Sequence, residues 1–289
     1  LMWIPFGLAV AVLVARQPEP ERGSQDGAWE PADAVGVAGT SVAGLAPLPP
    51  PTRTGSCDYA TATSRQVLRE LRAAHSMWFG VMAITISQLL LNGLQFWAVP
   101  YFERVDHLGA PAAGAFAATL GLGAVVGILG GGFLADRLLT RGVVNARVFV
   151  VAGGGVAGTA VLLPAFASTH LWVTAPLLVL GGAVLTLPVA PAEALMTDVV
   201  VAELRGRAAA IRSIVRSLSS VGALVVGALS STLIATAGMS RADGLRWAIV
   251  ALTPVYAVGG IVMLLAARSY PADVAFVAAE ARRREAGTG

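Results

Sequence analysis

The chain lacks lysine altogether, and only 13% of its 289 residues are charged. Soluble domains carry about 25% charged residues, so this low proportion is typical of a protein surrounded by lipid. The single cysteine, Cys57, excludes an internal disulfide and a cysteine-based metal site. The three histidines, His75, His107 and His170, lie far apart in the sequence. We therefore expect neither a metal site nor a cofactor.

Long apolar segments dominate the rest of the composition, with 56% hydrophobic residues and a mean hydropathy of +0.72. A membrane-spanning helix needs about 20 mostly apolar residues, and six segments meet this length. None shows the strict alternation of a strand, so all are predicted to be helices of an all-α membrane protein. The six predicted spans are Met77–Phe102, Pro111–Leu138, Ala146–Ala167, Leu171–Thr197, Ala208–Ala237 and Leu245–Ala267.

The segments outside these spans differ from one another. Residues 1–16 are apolar but too short to span a bilayer, and no basic residue precedes them as in a signal peptide. We interpret them as the end of a transmembrane helix whose beginning is missing. Residues 17–74 are rich in proline, glycine and serine, which predicts a disordered linker. Its last part, 64–74, has the pattern of a basic amphipathic helix at the bilayer surface.

Arginine distribution predicts the orientation of the spans. Alternate loops share one side of the membrane, and only Arg104, Arg241 and Arg246 fall on the side opposite the linker. The other 17 of the 20 basic residues lie on the linker side or at the adjoining helix ends. The positive-inside rule therefore places the linker and the 269–289 tail in the cytoplasm of a bacterial cell. We expect the basic tail to contact lipid headgroups and not nucleic acid.

Two loops carry the chemistry that identifies the family. The loop between the second and third spans contains Gly132, Asp136, Arg137 and Arg141. The loop between the fourth and fifth contains Pro191-Ala192-Glu193, Asp198 and Arg205-Gly206-Arg207-Ala208. Both resemble loops of the major facilitator superfamily, and Trp97–Arg104 together with Arg205–Ala208 is similar to its spinster-like branch. Gly132, Asp136, Arg137 and Arg141 would then form a gating loop, although such charges also occur in loops that only set orientation.

This resemblance implies a multi-pass secondary transporter that moves a small organic or amphipathic solute by alternating access. Residues 75–268 would be its C-terminal six-helix bundle, 1–16 the end of helix six, and 17–74 the linker between the two halves. The other half would be supplied by the same polypeptide or by a second copy. We expect proton coupling, as symporter or antiporter, and no enzyme activity. The alternative is a membrane scaffold or half-size protein that binds a partner without transporting anything.

Polar residues inside the spans are the candidates for a substrate site. Gln88, Asn92 and Gln95 share one face of the first span. Amides in a membrane need polar partners, so they either line a cavity or hold helices together. The resemblance favours the cavity, because the first and fourth spans would correspond to the cavity-lining helices seven and ten.

Glu193 is the acidic residue well inside the fourth span, where a carboxylate is a functional candidate. Desolvation favours the protonated form of a carboxylate, so Glu193 could carry a proton. Alternatively it forms an ion pair with Arg212 or Arg216, which lie four residues apart in the next span. We group these arginines with Asp198, Arg205 and Arg207 as a cytoplasmic charge network.

Glycines in the third span imitate a nucleotide-binding motif. Gly153, Gly155 and Gly158 have G-x-G-x-x-G spacing, but no acidic residue follows where a dinucleotide-binding turn needs one. Glycines four residues apart in the second and third spans indicate close helix packing instead.

Overall fold

The computed structural model describes residues 48–53, 55, 62–168 and 170–287, with side chains as far as residue 283. The expected helix end at 1–16 and the first part of the linker therefore lie outside the described residues. All of the described secondary structure is helical, and six stretches are long and apolar enough to cross a membrane. The prediction of an all-α membrane protein with six spans is confirmed.

The elements follow the predicted order. Helix α1 covers Ser64–Ala73 and precedes the spans. The first three spans are single helices, α2 His75–Val105, α3 Ala110–Thr140 and α4 Ala146–Ala167. The fourth span comprises α5 Leu171–Thr186 and α6 Val189–Asp198. The fifth span comprises, in chain order, a 3-10 turn at Ala202–Leu204, α7 Arg205–Ser217, a second 3-10 turn at Leu218–Val221 and α8 Gly222–Ala237. The sixth comprises α9 Arg241–Leu252 and α10 Pro254–Ala266, and α11 Tyr270–Gly287 follows.

The last three spans are interrupted near their middles, and local chemistry explains each interruption. Pro188 separates α5 from α6 and Pro254 separates α9 from α10. Proline removes a backbone donor and clashes with the preceding turn. In the fifth span, the hydroxyls of Ser219 and Ser220 donate to the carbonyls of Arg216 and Ser217, each at 2.7 Å. Such local bonds compete with the helical ladder and accompany the 3-10 turn.

The apolar core has two layers, one at each end of the bundle. One layer contains Leu71 of α1, Leu139 at the end of α3 and Tyr270 of α11; we call this end the linker side. The other contains Phe102 at the end of α2 and Leu245 at the start of α9; we call it the far side. Successive spans therefore run in opposite directions, as the alternation of loops predicts.

Helix α1 packs on protein and not only on lipid. We expected Val67, Leu68 and Leu71 to lie on the bilayer interface. Leu68 is half-buried, but Val67 and Leu71 are 4% and 2% exposed and belong to the linker-side layer. Arg65, Arg69 and Arg72 lie on its exposed side. The expectation was wrong for the two apolar residues because the apolar stripe of a short helix packs equally well on lipid and on a bundle end.

The end of the chain is also more ordered than a simple tail. Residues 269–289 were predicted only as a cytoplasmic tail, whereas the structure forms α11 there. Tyr270, Val274 and Phe276 are 0%, 3% and 4% exposed and complete the linker-side layer. Leu48, from the predicted disordered linker, also packs against this layer. The sequence signal is weak here because the apolar residues are few and separated by alanines.

Glycines allow the second and fourth spans to touch backbone to backbone. A Cβ added at Gly123, Gly127 or Gly131 of α3 would overlap backbone atoms of Val179, Ala183 or Leu187. In the third span, Gly155 lies against Gly260 and Gly158 against the Tyr256 ring of α10. These contacts confirm that the glycine spacings serve helix packing, as small residues do in membranes.

We predict that Gly127→Val separates α3 from α5. Its side chain would collide with the Ala183 carbonyl, which cannot move without shifting α5. Such overpacking costs about 1–3 kcal/mol, so the midpoint of thermal unfolding in detergent should fall. Gly130→Val, on the same helix with open space around its Cβ, is the matched control. Equal midpoints for the two variants would contradict this account of the contact.

Candidate functional site

Glu193 bridges two arginines on the linker side of the fourth and fifth spans. Its Oε2 accepts from Arg212 at 2.5 Å and its Oε1 from Arg216 at 3.3 Å. Arg212 and Arg216 are one turn apart on α7, so both guanidiniums point to the same place. Arg216 also donates through Nε to Gln88 of α2 at 3.2 Å. The carboxylate therefore joins the fourth and fifth spans, and Arg216 links this pair to the first span.

This carboxylate faces an accessible cleft. The Glu193 side chain is 43% exposed, and those of Arg212 and Arg216 are 23% and 39% exposed. The cleft has a volume of about 350 Å³. Its lining combines charged Glu193, Arg205 and Arg212 with Met77, Met196, Val200 and alanines. The cleft is therefore lined by arginine donors and by apolar side chains.

The three amides of the first span have different surroundings. Gln88 contacts Arg216, as described, and Asn92 donates to the Ser219 hydroxyl at 2.9 Å. Both therefore join α2 to the fifth span, next to the cleft or one turn beyond it. Gln95 is exposed and makes no hydrogen bond to a residue that the structure describes. The structure thus joins Gln88 to Arg216, the partner of Glu193, and leaves Gln95 apart.

Asp198, one and a half turns beyond Glu193 on α6, lies in a closed site. Its Oδ2 accepts from the Arg147 guanidinium and, at 2.5 Å, from the Tyr270 hydroxyl. Arg147 is 4% exposed and Tyr270 is fully buried. Burial, with the nearby Asp198 carboxylate, raises the pKa of Tyr270 well above its usual value. Tyr270 therefore stays a hydrogen-bond donor over the physiological range of pH.

The five residues that we grouped as one charge network therefore belong to separate sets of contacts. Arg212 and Arg216 bind Glu193, and Asp198 binds Arg147. Arg207 donates to the Ala62 carbonyl at 2.8 Å, while Arg205 donates to the Thr197 carbonyl at 3.4 Å. The sequence pattern missed Arg147 and Tyr270, because both lie far from Asp198 along the chain.

A second buried carboxylate, Asp273 of α11, caps the first span. Helix α2 begins after Ala74, which offers no capping side chain. Asp273 Oδ2 accepts from the Ser76 backbone N–H at 3.0 Å and from its hydroxyl at 2.5 Å. Asp273 Oδ1 pairs with Arg53 at 3.4 Å, and that guanidinium lies 4.1 Å from the Phe276 ring centroid. An anion at a helix N-terminus is favourable, so α11 both caps α2 and holds part of the linker.

The predicted gating loop is exposed. Asp136, Arg137 and Arg141 are all exposed and form no ion pair with any residue in the described ranges. Gly132 lies near Ala190 of α6. The backbone of the loop forms a regular helix end. Gly142 has a left-handed φ of 82°. The N–H groups of Gly142 and Val143 donate to the carbonyls of Leu139 and Leu138 and so close α3. The Asp136 carboxylate, one turn before this point, also interacts electrostatically with the buried Arg147 of α4.

The far side holds another charged group. A cleft of about 500 Å³ is lined by Arg104, Asp106, His107, Arg241, Asp243 and Arg246. Asp106 Oδ2 is buried and has no hydrogen-bond partner among the described residues. Burial raises the pKa of Asp106, and Arg246 and His107 oppose this shift. Arg246 is itself engaged with the last carbonyls of α4, Phe166 and Ala167.

Comparisons with known proteins give one family and one fold. Residues 1–223 match the sequence model described as the Major Facilitator Superfamily. One similar solved structure is that of a bacterial homolog to the human lysosomal transporter Spinster, in an inward-facing and unoccupied conformation. Its sequence is 18% identical and its TM-score is 0.61, and the match covers 76% of this chain and 53% of that one. The inward-facing and occupied conformation of such a homolog is 17% identical with a TM-score of 0.57, and the match covers 68% of this chain and 50% of that one. The chain thus spans about half the length of these two structures. The search of the curated proteins found no match.

We predict that Asp273→Ala destabilises the linker side. The substitution leaves the Ser76 donors and Arg53 without their carboxylate, and an unsatisfied buried polar group costs about 1–3 kcal/mol. The thermal midpoint should fall, and trypsin should cleave after Arg53 faster. Glu280→Ala on the same helix removes a carboxylate that pairs only with the half-exposed Arg283, three residues away, and serves as the control. An unchanged midpoint and cleavage rate in Asp273→Ala would refute the capping role.

We predict that Asp106→Asn stabilises the protein at pH 7. A carboxyl whose pKa is raised in the folded state stabilises the protein at low pH, where it is protonated. This stability is lost as the pH rises from the pKa of the unfolded state through the pKa of the folded state. The variant should therefore unfold at a higher temperature than the parent at pH 7, and the difference should vanish below pH of about 4, near the usual aspartate value. Thermal unfolding in detergent across this range measures it, with Glu103→Gln, an exposed neighbour, as the control. A lower midpoint at pH 7 would mean that attraction to Arg246 outweighs burial.

Proposed function

This chain belongs to the major facilitator superfamily, and from that membership we propose that its six-helix bundle forms one half of a secondary active transporter. In such transporters two homologous bundles rock about a site near the middle of the membrane. The other bundle would come from the same polypeptide or from a second copy. The transported solute would be a small organic or amphipathic molecule.

The observation that carries this proposal is the Glu193 cluster beside an open cleft. Charged groups within membrane spans are costly and are kept where they face a cavity or serve function. Here a carboxylate, two guanidiniums and the Gln88 amide meet in the first, fourth and fifth spans, while the Asp198 and Arg147 side chains of the same bundle are only 11% and 5% exposed. A bundle that only filled the membrane would have no need of an exposed charge cluster.

Two features of the exposed surface support a second bundle. Helix α3 exposes apolar side chains that include Leu122, Val126, Leu129 and Phe133. The charged side chains of Asp136, Arg137 and Arg141 at and just beyond its end are exposed. The same features also fit the alternative of a scaffold that binds another membrane protein. Only a flux measurement separates the two.

We further propose that the linker side faces the cytoplasm of a bacterial cell and that transport is coupled to protons. The orientation is supported by the arginine distribution, which has three arginines on the far side. Glu193 is the candidate proton carrier, because it lies in the fourth span and its side chain reaches the cleft. Its alternative role is the ion pair with Arg212 and Arg216 alone.

Flux measurements on the full-length protein containing this chain test the proposal. The protein would be reconstituted in vesicles with a trapped pH dye, and a panel of organic acids, bases and amphiphiles would be added under an imposed pH gradient. A transporter should give solute-dependent proton movement that Glu193→Gln abolishes while the thermal midpoint is kept. Glu103→Gln, an exposed carboxylate outside the cleft, should leave the flux unchanged.

Two results would count against parts of this proposal. Loss of expression or of thermal stability in Glu193→Gln would assign the residue to the ion pair instead of proton transfer. Absence of any solute-dependent flux from correctly inserted protein, across the whole panel, would favour the scaffold.

A further inference from the structure

The linker segment 48–53, which we call the strap, is attached to the bundle at both of its ends. Leu48 packs against the linker-side layer, and Arg53 bonds to α1 and α11. Three consecutive prolines, at 49–51, lie between these two contacts. Proline fixes the backbone φ, so a proline segment loses less conformational entropy than an ordinary segment when it docks. A short strap with two contacts can therefore remain docked.

Arg53 fills a gap between three parts of the bundle. Its Nη1 donates to the Glu70 carbonyl of α1 at 3.3 Å, and its Nη2 pairs with Asp273 of α11 at 3.4 Å. The third side of the gap is the turn 199–204 between α6 and α7, which contributes Val199, Val200, Val201 and Leu204. The space left around Arg53 is only about 10 Å³, close to the minimum that one water molecule needs.

The turn 199–204 separates the strap from the cleft. Val200 lines both the gap that Arg53 fills and the cleft beside Glu193. Just beyond the turn, Arg207 donates to the Ala62 carbonyl of the linker at 2.8 Å. The linker therefore holds this turn from one side while the cleft lies on the other. A movement of the turn toward the strap would widen the cleft.

The Arg53 contact is weak enough to open. Both of its hydrogen bonds are long, and its Nε is buried without a hydrogen-bond partner among the described residues. A buried donor without an acceptor costs at least as much free energy as a typical hydrogen bond contributes. Asp273 also has other partners, since its Oδ2 accepts from the Ser76 N–H and hydroxyl at 3.0 and 2.5 Å. Release of Arg53 therefore leaves the cap of α2 in place.

We propose that the strap is a releasable clamp on the cleft. Docked Arg53 holds the turn 199–204 in position, and its release lets the turn move and the cleft widen. Arg53 is then a positioning residue for the cleft lining. The strap belongs to the segment predicted to join the two halves, so movement of the second half would reach the turn through the chain itself. That last role rests on the proposed transport function, whereas the clamp is measured without transport.

Hydrogen exchange in the full-length protein tests the clamp. In Arg53→Gln, the amides of 199–204 should exchange about tenfold faster, the equivalent of one charged hydrogen bond. The first turn of α2 should keep its protection, because Asp273 still caps Ser76. Arg65→Gln, which removes an exposed arginine of α1, is the control and should change neither segment. Unchanged exchange at 199–204 in Arg53→Gln would overturn the proposal. Equal acceleration in both segments would also overturn it, because that result indicates general loosening.

Cysteine labelling measures the cleft itself. Ala209 lines the cleft, so Ala209→Cys, in full-length protein with Cys57→Ala and no other cysteine, reports access of a soluble maleimide. We expect Arg53→Gln to raise the labelling rate several-fold and Arg65→Gln to leave it unchanged. Arg53→Lys keeps a positive charge beside Asp273 and should restore most of the slower rate. An unchanged rate in Arg53→Gln would refute control of the cleft.

The two readouts separate the clamp from the proposed transport function. Faster labelling in Arg53→Gln, in a protein that moves no solute, would keep the clamp and refute transport. Solute flux together with equal labelling in the parent and Arg53→Gln would keep transport and refute the clamp.

Discussion

The linker side of this bundle depends on the carboxylate of Asp198. It joins α6 to α4 through Arg147 and to α11 through Tyr270. Because α11 in turn caps α2 through Asp273 and Ser76, four helices that are distant in sequence are linked by two carboxylates. Buried charges of this kind are costly unless every partner is present. The arrangement therefore holds only when all of these helices are in place at once.

The rest of the bundle is assembled by close contact and not by charge. Glycines bring α3 against α5 and α4 against α10 with almost no side chain between them. Lipid gives little hydrophobic driving force for helix association, so dispersion at such short separations has to supply it. The result is a body whose helices are fixed relative to one another.

The two acidic residues of α6 lie in different surroundings. Asp198 is largely enclosed by Arg147 and Tyr270, while the Glu193 side chain is 43% exposed and lines the cleft. The same helix therefore carries one buried ion pair and one accessible ion pair.

The sequence alone determined the six spans, their order and the glycine contacts between them, because span length, hydropathy and four-residue spacing are local properties that lipid imposes. It also identified Glu193, Arg212 and Arg216 as partners, since they lie at matching ends of adjacent spans. Only the tertiary structure decided that Arg147 and Tyr270 bind Asp198, that Asp273 caps α2 from 197 residues away, and that Gln95 stays outside the cluster. These contacts depend on how helices are rotated and placed in space, and no local pattern encodes that rotation.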